Sequence, residues 1–416
     1  MNSHPPLAAT AAAPKGGTLS DPNVRRYLLG QLGSSIGSTL QGAVLALLVL
    51  SLTRKEQAAT VIGLVNAFGL LPGVILGPFA GILLDRWNKR NILITTAVLG
   101  GIQATALTLL TYTGHINIWW IYTLSLLLGL ITAIDGNGRN AILKDIVANP
   151  DHVKQASKLV ISLYTVAQVI GPGVAGYLVL TIGYSGSFLL NVLSYVGLVV
   201  ALLNIHMIIH YVPPTDRLRI WRPVVEGAKH VFSHPEIRLC TILMMTLCLF
   251  VFPCQLLMSV IAKYMLHGDA ILYSHLSASY GCGSLTGGLL TIVFNTRLSH
   301  KNAIVGGMTV AGTFMILLSL TTNTYWASIC LFFVGAGFVS MFSALRGSLT
   351  HVTERRVMGI VGGWSGTMSY GGLVLASLTM GPLADKVGCP TVLACCGVVT
   401  LGVAAVAPFL KGINKL

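Results

Sequence analysis

The ten residues from Gly81 to Arg90 read Gly-Ile-Leu-Leu-Asp-Arg-Trp-Asn-Lys-Arg and are the stretch that decides the fold. They place one acidic and three basic side chains between two apolar runs, 60–84 and 92–112. Each run reaches the roughly 20 residues that a helix needs to cross the hydrocarbon of a bilayer. The charged stretch is therefore predicted to be a tight turn at a membrane surface between two spanning helices.

The composition of the whole chain agrees with this interpretation. Hydrophobic residues make up 54% of the 416 residues and charged residues 9%, whereas a soluble domain has about a quarter charged residues. Together with a mean hydropathy of +0.78, this excludes a soluble globular protein. Twelve apolar stretches follow one another: 27–52, 60–84, 92–112, 118–135, 159–181, 185–205, 238–262, 271–295, 303–321, 325–345, 358–381 and 390–410. They are too long for strands, so the predicted fold class is an all-α polytopic membrane protein with twelve transmembrane helices.

The basic residues predict the orientation in the membrane. If the N-terminus is cytoplasmic, all but four of the 26 Lys and Arg residues lie on the inner side; the four are Arg54, Lys55, Lys263 and Lys386. The positive-inside rule then predicts a multi-pass protein of the cell inner (plasma) membrane with both termini in the cytoplasm. Inner loops that face an anionic leaflet also explain the net charge of +14, and no basic patch with interleaved aromatic residues indicates nucleic-acid binding.

Two six-helix halves, 27–205 and 238–410, are predicted on either side of the longest inner connection, 206–237. This linker contains an apolar pattern at helical spacing, which indicates an amphipathic helix at the membrane interface or, alternatively, a solvated linker helix. Residues 1–26, rich in Ala, Pro and Gly, are predicted to be a disordered cytoplasmic tail, and 411–416 a second tail. The eight cysteines lack metal-ligand spacing, so no metal or cofactor is expected.

The stretch 81–90 resembles the signature of the major facilitator superfamily in the loop after its second helix. That signature is a glycine, an Asp-Arg pair four residues later and a basic cluster; Asn88 stands where glycine is usual. The gating residues that the resemblance implies are Gly81, Asp85, Arg86, Lys89 and Arg90. Physically, Gly81 admits a close neighbour, Asp85 can cap a neighbouring helix N-terminus, and Lys89 or Arg90 can pair with Asp135 at the inner end of the fourth span. Alternatively, the basic cluster only fixes topology.

The fifth span carries a second element, Gly171-Pro172-Gly173-Val174-Ala175-Gly176. It resembles the Gly-Pro-x-x-x-Gly element of the exporter branches of the superfamily. Pro172 removes a backbone hydrogen bond, and Gly171 and Gly176 admit a close neighbour, so this helix can bend and seal against the opposite half. The stretches 135–143, which includes Arg139, 226–235 and 355–359 extend the resemblance to the drug and siderophore exporter branch, which includes enterobactin exporters and macrolide efflux pumps.

Polar side chains within the spans are the candidates for a substrate cavity. In the first span they recur at helical spacing and form one polar stripe, which faces either water or packed helices. In the seventh span Pro253 predicts a kink, and nearby aromatic and Met side chains suit an amphiphilic ligand. Ordinary helix packing is the alternative for each of them. The predicted cavity residues are Gln31, Ser34, Ser38, Gln41, Asn66, Gln168, Phe252, Gln255 and Met258.

The resemblance implies a secondary active transporter that exports a small amphiphilic molecule, siderophore or drug, by alternating access and proton antiport. The expected partners are that substrate, the bilayer and protons, and the expected state is a monomer. The residues do not support proton coupling on their own: no acidic residue lies in the middle of a predicted span, and Asp135 with Arg139, or His275, are the remaining candidates. Uptake or facilitated diffusion of a metabolite stays open. An enzyme or a receptor is disfavoured, because no catalytic cluster and no sizeable soluble domain occurs in the sequence.

Overall fold

The computed structural model describes residues 18, 21–86, 88–147, 150–205, 207, 221–294, 300–354 and 357–409. Its long helices are α1 (Pro22–Leu52), α2 (Ala58–Arg86), α3 (Lys89–Tyr112), α4 (Ile118–Ala141), α5 (Pro150–Leu203), α6 (Trp221–Ser233), α7 (Pro235–Phe250), α8 (Ala270–Phe294), α9 (His300–Leu320), α10 (Thr324–Val352), α11 (Met358–Val387) and α12 (Cys389–Val406). Shorter helical turns lie at Lys55–Gln57, Leu143–Ile146, Pro253–Leu256, Met258–Val260, Ile261–Met265 and Ala407–Phe409.

The described residues form twelve membrane spans, as predicted. Nine helical stretches among them are long and apolar enough to cross a bilayer. One of these, His152–Leu203, is two helices, because Gly183 has a φ of 74° that ends the first arm of α5 and starts the second. A positive φ of this kind is accessible to glycine at little cost. The helices α8 and α11 have comparable length but are rich in Gly and Ser, and they complete the twelve.

Several helices run beyond the apolar stretches from which they were predicted. α1 begins at Pro22 with Asp21 as its N-cap, so residues 22–26, predicted to be disordered, are helical. α4 continues to Ala141 and α10 to Val352, each past the end of its predicted span. A span predicted from hydropathy ends at the first charged residues, whereas the helix itself continues as long as its backbone hydrogen bonds are made. Charged residues predicted at membrane surfaces therefore lie inside helices.

The spans pack as two groups, which we call the N-terminal bundle (α1–α5) and the C-terminal bundle (α7–α12). In the first, α1 lies against both arms of α5 and α2 packs on α4; in the second, α10 packs on α8 and α9, and α12 packs on α9. The bundles meet along two seams, α2 with α11 and the first arm of α5 with α8. α6, in the predicted linker, packs on α11, where Trp364 Nε1 donates to the Val224 carbonyl at 2.9 Å. The predicted limits of the halves stay a prediction.

Candidate functional site

One face of α11 borders an open space between the two bundles. On one flank of this face, Ser365 Oγ lies 3.1 Å from Thr241 Oγ1 of α7. On the other flank, Thr367 lies against Gly77 of α2. Between the flanks, at helical spacing, lie Gly359, Gly362, Gly366 and Tyr370. A Cβ added to any of the three glycines would meet no described atom within 4 Å, and Tyr370 is 44% exposed. This surface, called the glycine face below, is open, and we interpret the space beside it as a cavity between the bundles.

The first arm of α5 forms part of the opposite wall. The Ala167 carbonyl accepts a hydrogen bond from α1 at 2.8 Å, and Val169 lies against α8, which marks the two packed sides of this arm. Between these sides Tyr164 and Gln168 are exposed, and Tyr164 lies within electrostatic range of Tyr370 across the cavity. Gln168 thus lies where the sequence predicted a substrate-binding residue, and its role in binding stays a prediction.

Sequence reasoning missed Arg346 as a cavity residue. It assigned Arg346 to the inner loop after the tenth span, but α10 continues to Val352, so Arg346 lies within the helix. The side chain is exposed, and its Cζ atom lies 5.0 Å from the centroid of the Phe342 ring. Tyr370 of the glycine face and Cys248 of α7 are within electrostatic range of the guanidinium. The signal that could have located Arg346 is the apolar pattern that continues beyond it.

Gln41 is part of a hydrogen-bonded amide network inside the N-terminal bundle. Gln41 Nε2 donates to Gln103 Oε1 of α3 at 3.1 Å, and Asn191 Nδ2 of α5 donates to Gln41 Oε1 at 2.8 Å. All three side chains are buried. The structure therefore corrects the prediction that Gln41 faces a wet cavity, because its polar atoms are satisfied by neighbouring helices of the same bundle.

The rest of the polar stripe on α1 also faces the interior of this bundle. Gln31 and Ser34 are 3% and 0% exposed, and Gln31 Nε2 donates to Ser35 Oγ at 3.1 Å. Ser38 Oγ lies 3.3 Å from the hydroxyl of Tyr195, on the second arm of α5. The spacing left open whether this stripe faces water or packed helices. In the structure it faces packed helices. Gln31, Ser34 and Ser38 do not line the cavity between the bundles.

Asp135 and Arg139 form a buried ion pair within α4. The Arg139 Nε atom donates to Asp135 Oδ2, and Thr96 Oγ1 of α3 donates to Asp135 Oδ1 at 3.2 Å. Arg139 Nη1 also reaches Ser35 Oγ of α1 at 3.4 Å. Since α4 continues for six residues beyond Asp135, this carboxylate lies about 9 Å further from the helix end than predicted. It is a buried acid near the inner end of its span, with a fixed basic partner.

In the described state neither Lys89 nor Arg90 pairs with Asp135, so the predicted pairing, a latch for the outward-facing state, stays a prediction. Lys89 Nζ instead pairs with Asp145 at 2.8 Å, because the short helical turn after α4 brings Asp145 to the level of the α3 N-terminus. Arg90 donates from Nε and Nη2 to two carbonyl oxygens at the C-terminal end of α5, at 2.9 and 2.7 Å. A cation at a helix C-terminus offsets the partial negative charge of the unpaired carbonyls.

The other residues of the turn signature are Gly81, Asp85 and Arg86. Their backbone belongs to the last turns of α2, whereas their side chains lie outside the described part of the structure. The predicted capping of a neighbouring helix by Asp85 therefore stays a prediction.

The Gly-Pro-x-x-x-Gly element lies in the seam between α5 and α8. Ser274 Oγ of α8 accepts from the Gly176 amide at 2.7 Å and donates to the Pro172 carbonyl at 3.0 Å, the two groups that a regular helix pairs with each other. A Cβ on Gly176 would come 1.8 Å from the carbonyl oxygen of Ala270, and one on Gly171 would come 2.2 Å from a side-chain atom of α1. The element thus allows α5 to approach helices on both sides.

The seventh span is broken as Pro253 predicts: α7 ends at Phe250 and a new helical turn begins at Pro253. Gln255 beyond the break is exposed, and Phe252 is half-buried against the core. Met258 is 3% exposed and belongs to the packed core, which corrects its assignment to the cavity. Asn66 of α2 is half-buried and donates to a carbonyl of its own helix at 3.0 Å.

Comparison with known proteins decides the family. The sequence pattern of the family described as transmembrane secretion effector matches residues 18–413 of the chain. The chain belongs to this family of the major facilitator superfamily. It is a multi-pass membrane transporter, and the prediction that it is not an enzyme is confirmed by the family.

Relatives of this transporter carry efflux and siderophore names. It is 24% identical to macrolide efflux protein A of Streptococcus pyogenes over 395 residues, which cover 91% of this chain and 94% of the relative. It is 27% identical to the staphyloferrin A transporter of Staphylococcus aureus over 156 residues, 37% of this chain and 39% of the relative. Among solved structures, a bacterial homologue of the human lysosomal transporter Spinster, inward-facing and unoccupied, superimposes with a TM-score of 0.71 at 16% identity, covering 95% and 98% of the two chains. A transporter of the POT family gives 0.75 at 11% identity, covering 93% and 96%. Both likenesses concern the fold.

In this transporter two charged contacts join the bundles at one membrane face, where α1 ends and α2 begins; we call it the outer face, following the charge rule. Asp385 at the end of α11 accepts from the amides of Ala59 and Thr60 at 3.0 and 2.7 Å, and so caps the N-terminus of α2. Lys263 Nζ donates to the Leu50 carbonyl near the end of α1 at 3.0 Å. These contacts, which we call the outer clamp, join the bundles by pairing each charge with the helix end of opposite sign. Neither contact was predicted from the sequence, in which Lys263 is only one of four basic residues assigned to the outer side.

Proposed function

We propose that this transporter exports a small amphiphilic molecule, of the siderophore or drug class, from the cytoplasm across the inner membrane by alternating access. The observation that carries the proposal is the cavity between the glycine face and the first arm of α5, together with the outer clamp that closes the opposite face. A substrate has to enter such a cavity from the face that the basic residues predict to be cytoplasmic. The exporter element at the α5–α8 seam and the efflux names of the relatives support the same direction.

In this proposal the two halves, 27–205 and 238–410, rock against each other along the α2–α11 and α5–α8 seams, with both termini in the cytoplasm and the protein acting as a monomer. The outer clamp holds the state that loads from the cytoplasm. Asp85 locks the alternative state from the inner face by capping the N-terminus of α11. Release of one set of contacts and formation of the other then exposes the cavity to each side in turn.

We further propose that protons drive export through Asp135. A carboxylate within a span marks a functional position by default, and Asp135, although near the inner end of its span, is buried inside the N-terminal bundle. Asp135 is held by Arg139 and Thr96, so protonation would release the Arg139 guanidinium inside the N-terminal bundle. His275, the other candidate, lies in the seam with its Nε2 atom 2.5 Å from the Tyr177 hydroxyl and is exposed there.

The test uses cells that lack their own exporters and express the wild-type protein or Asp135→Asn. Under iron limitation, and separately with a macrolide in the medium, mass spectrometry compares the compounds in the medium with those in the cells. The proposal expects at least one compound to move from cells to medium with the wild-type protein, and the gradient-dependent part of this movement to be lost in Asp135→Asn. Asp269→Asn, which removes a carboxylate that accepts from the Leu272 amide within the C-terminal bundle, is the control and should export normally. Accumulation of the compound inside the cells would indicate uptake instead.

A further inference from the structure

Arg346 brings a positive charge into the cavity without a carboxylate to balance it. Within the described residues, no acidic side chain forms an ion pair with Arg346. Two carboxylates of the spans have other partners: Asp135 is held by Arg139, and Asp385 is held by the amides of α2. An arginine inside a span faces a bundle interior or a water-filled cavity, and its retention there indicates a ligand pathway.

The position of Arg346 on α10 directs the charge toward the cavity. One side of α10 packs on α8, where Ala336 lies against Gly287, and another packs on α9, where Gly337 lies against Gly307. Arg346 is instead within electrostatic range of Tyr370, which belongs to the glycine face. The glycine face leaves open space on α11, and the Arg346 side chain is itself exposed. The guanidinium is therefore accessible to a ligand group.

Aromatic rings lie along the same wall. Phe338 and Phe342 are stacked with ring centroids 5.8 Å apart, and the Arg346 guanidinium lies over Phe342 at 5.0 Å. A guanidinium that rests on an aromatic ring with one face keeps its N–H edge free for two parallel hydrogen bonds to a carboxylate or a similar anion. Tyr370 and Tyr164 add two hydroxyl groups and further aromatic surface. This wall combines one anion-binding edge with apolar contact area.

We propose that Arg346 binds an anionic group of the transported molecule, so that the substrate is an amphiphile with an aromatic or other apolar body and a negative charge. This inference rests on the proposed function, since it names the substrate class that the export cavity accepts. A cationic amphiphile of the same size meets an unpaired positive charge and gains no compensating partner. Selection between the two classes is thus made at Arg346.

The experiment measures binding to the full-length protein in lipid nanodiscs by fluorescence anisotropy. Two xanthene dyes of similar body serve as probes: 5-carboxyfluorescein, which is anionic, and rhodamine 123, which is cationic. The wild-type protein should bind carboxyfluorescein roughly tenfold or more tightly than rhodamine 123. Arg346→Gln should abolish this preference, and Arg346→Lys, which keeps the charge but loses the planar edge, should retain part of it. Arg238→Gln, at an exposed position in the first turn of α7, removes the same charge outside the cavity and should leave the preference unchanged.

Equal binding of the two dyes, no binding of either, or an unchanged preference in Arg346→Gln would overturn the inference. The dye comparison in the wild-type protein needs no variant, so misfolding of Arg346→Gln cannot hide the answer. Export is tested separately in cells, as above. If Arg346-dependent binding is found but nothing leaves the cells, the anion site stands and the proposed export fails. If a compound is exported independently of Arg346, export stands and the anion site fails.

Discussion

Replacing Asp385 by Asn should open the outer face of the transporter. Asp385 is the carboxylate of the outer clamp, and its two oxygens accept from two amides at the start of α2, across the boundary between the bundles. Asn keeps one acceptor oxygen and removes the charge, so one hydrogen bond and the interaction with the helix N-terminus are lost. Because these contacts exist only while the outer face is closed, the change acts on the equilibrium between the two states and not on either bundle alone.

The size of this effect follows from the contacts. A hydrogen bond to a charged group contributes about 1.5–3 kcal/mol, and a carboxylate at a helix N-terminus contributes about 0.3–1 kcal/mol when exposed to solvent. Asp385 is half-buried and Asn retains one bond, so we expect a loss of about 1.5–2 kcal/mol from the closed state. At 1.4 kcal/mol per factor of ten, the ratio of outward-open to closed molecules should rise roughly 10- to 30-fold.

Pulsed electron paramagnetic resonance measures this ratio directly. Spin labels at Thr113 after α3 and Thr322 before α10, both exposed at the outer face, report the separation of the bundles. The exposed native cysteines, Cys282 and Cys395, are first replaced by Ser. Asp385→Asn should add a population with a longer distance.

Asp269→Asn is the matched control for this experiment. Asp269 accepts from the Leu272 amide at 3.0 Å at the start of α8 and so caps a helix of its own bundle, without a contact across the boundary. The distance distribution of Asp269→Asn should equal that of the wild-type protein. If Asp385→Asn shows the wild-type distribution too, the outer clamp does not hold the closed state and the reasoning is refuted.

Three further substitutions test other parts of the account. Gly176→Ala should lower the melting temperature and the transport rate, because the new Cβ meets a backbone oxygen of α8 and overpacking costs about 1–3 kcal/mol. Gly173→Ala, whose new Cβ makes an ordinary contact with α8, is the control and should be tolerated. Equal effects of the two substitutions would contradict the close α5–α8 packing at Gly176. Gln41→Leu should destabilise the purified protein by about 1–3 kcal/mol, since it leaves buried amides unpaired, while substrate affinity stays unchanged; a loss of affinity would return Gln41 to the cavity. Asp85→Asn should slow transport strongly with a normal protein level in the membrane, and transport at the wild-type rate would remove the inner lock.

The sequence predicts the fold through features that are local. Apolar runs of spanning length are set by the bilayer thickness, and the stretch 81–90 together with the Gly-Pro-x-x-x-Gly element predicts the superfamily that the comparison confirms. The break at Pro253 and the boundary between the two arms of α5 at Gly183 also follow from single residues. Each of these features depends on backbone chemistry near its own position in the chain.

The site was less predictable because it depends on contacts between distant residues. The amide of Gln41 looks the same in the sequence whether it faces water or two buried amides, and only the meeting of α1, α3 and α5 decides between these. Arg346 was assigned to a loop because the predicted apolar span ends at this charged residue, although the helix continues to Val352. Asp385 caps a helix more than 300 residues away in the chain, a pairing for which no local pattern exists.

Transport into inside-out membrane vesicles tests the central claim most directly. The compound that wild-type cells export is added outside such vesicles, with and without an imposed pH gradient that is acidic inside. The account predicts accumulation inside the vesicles that requires the gradient and is lost in Asp135→Asn. Equilibration to equal concentrations regardless of the gradient, or accumulation only in right-side-out vesicles, would contradict it.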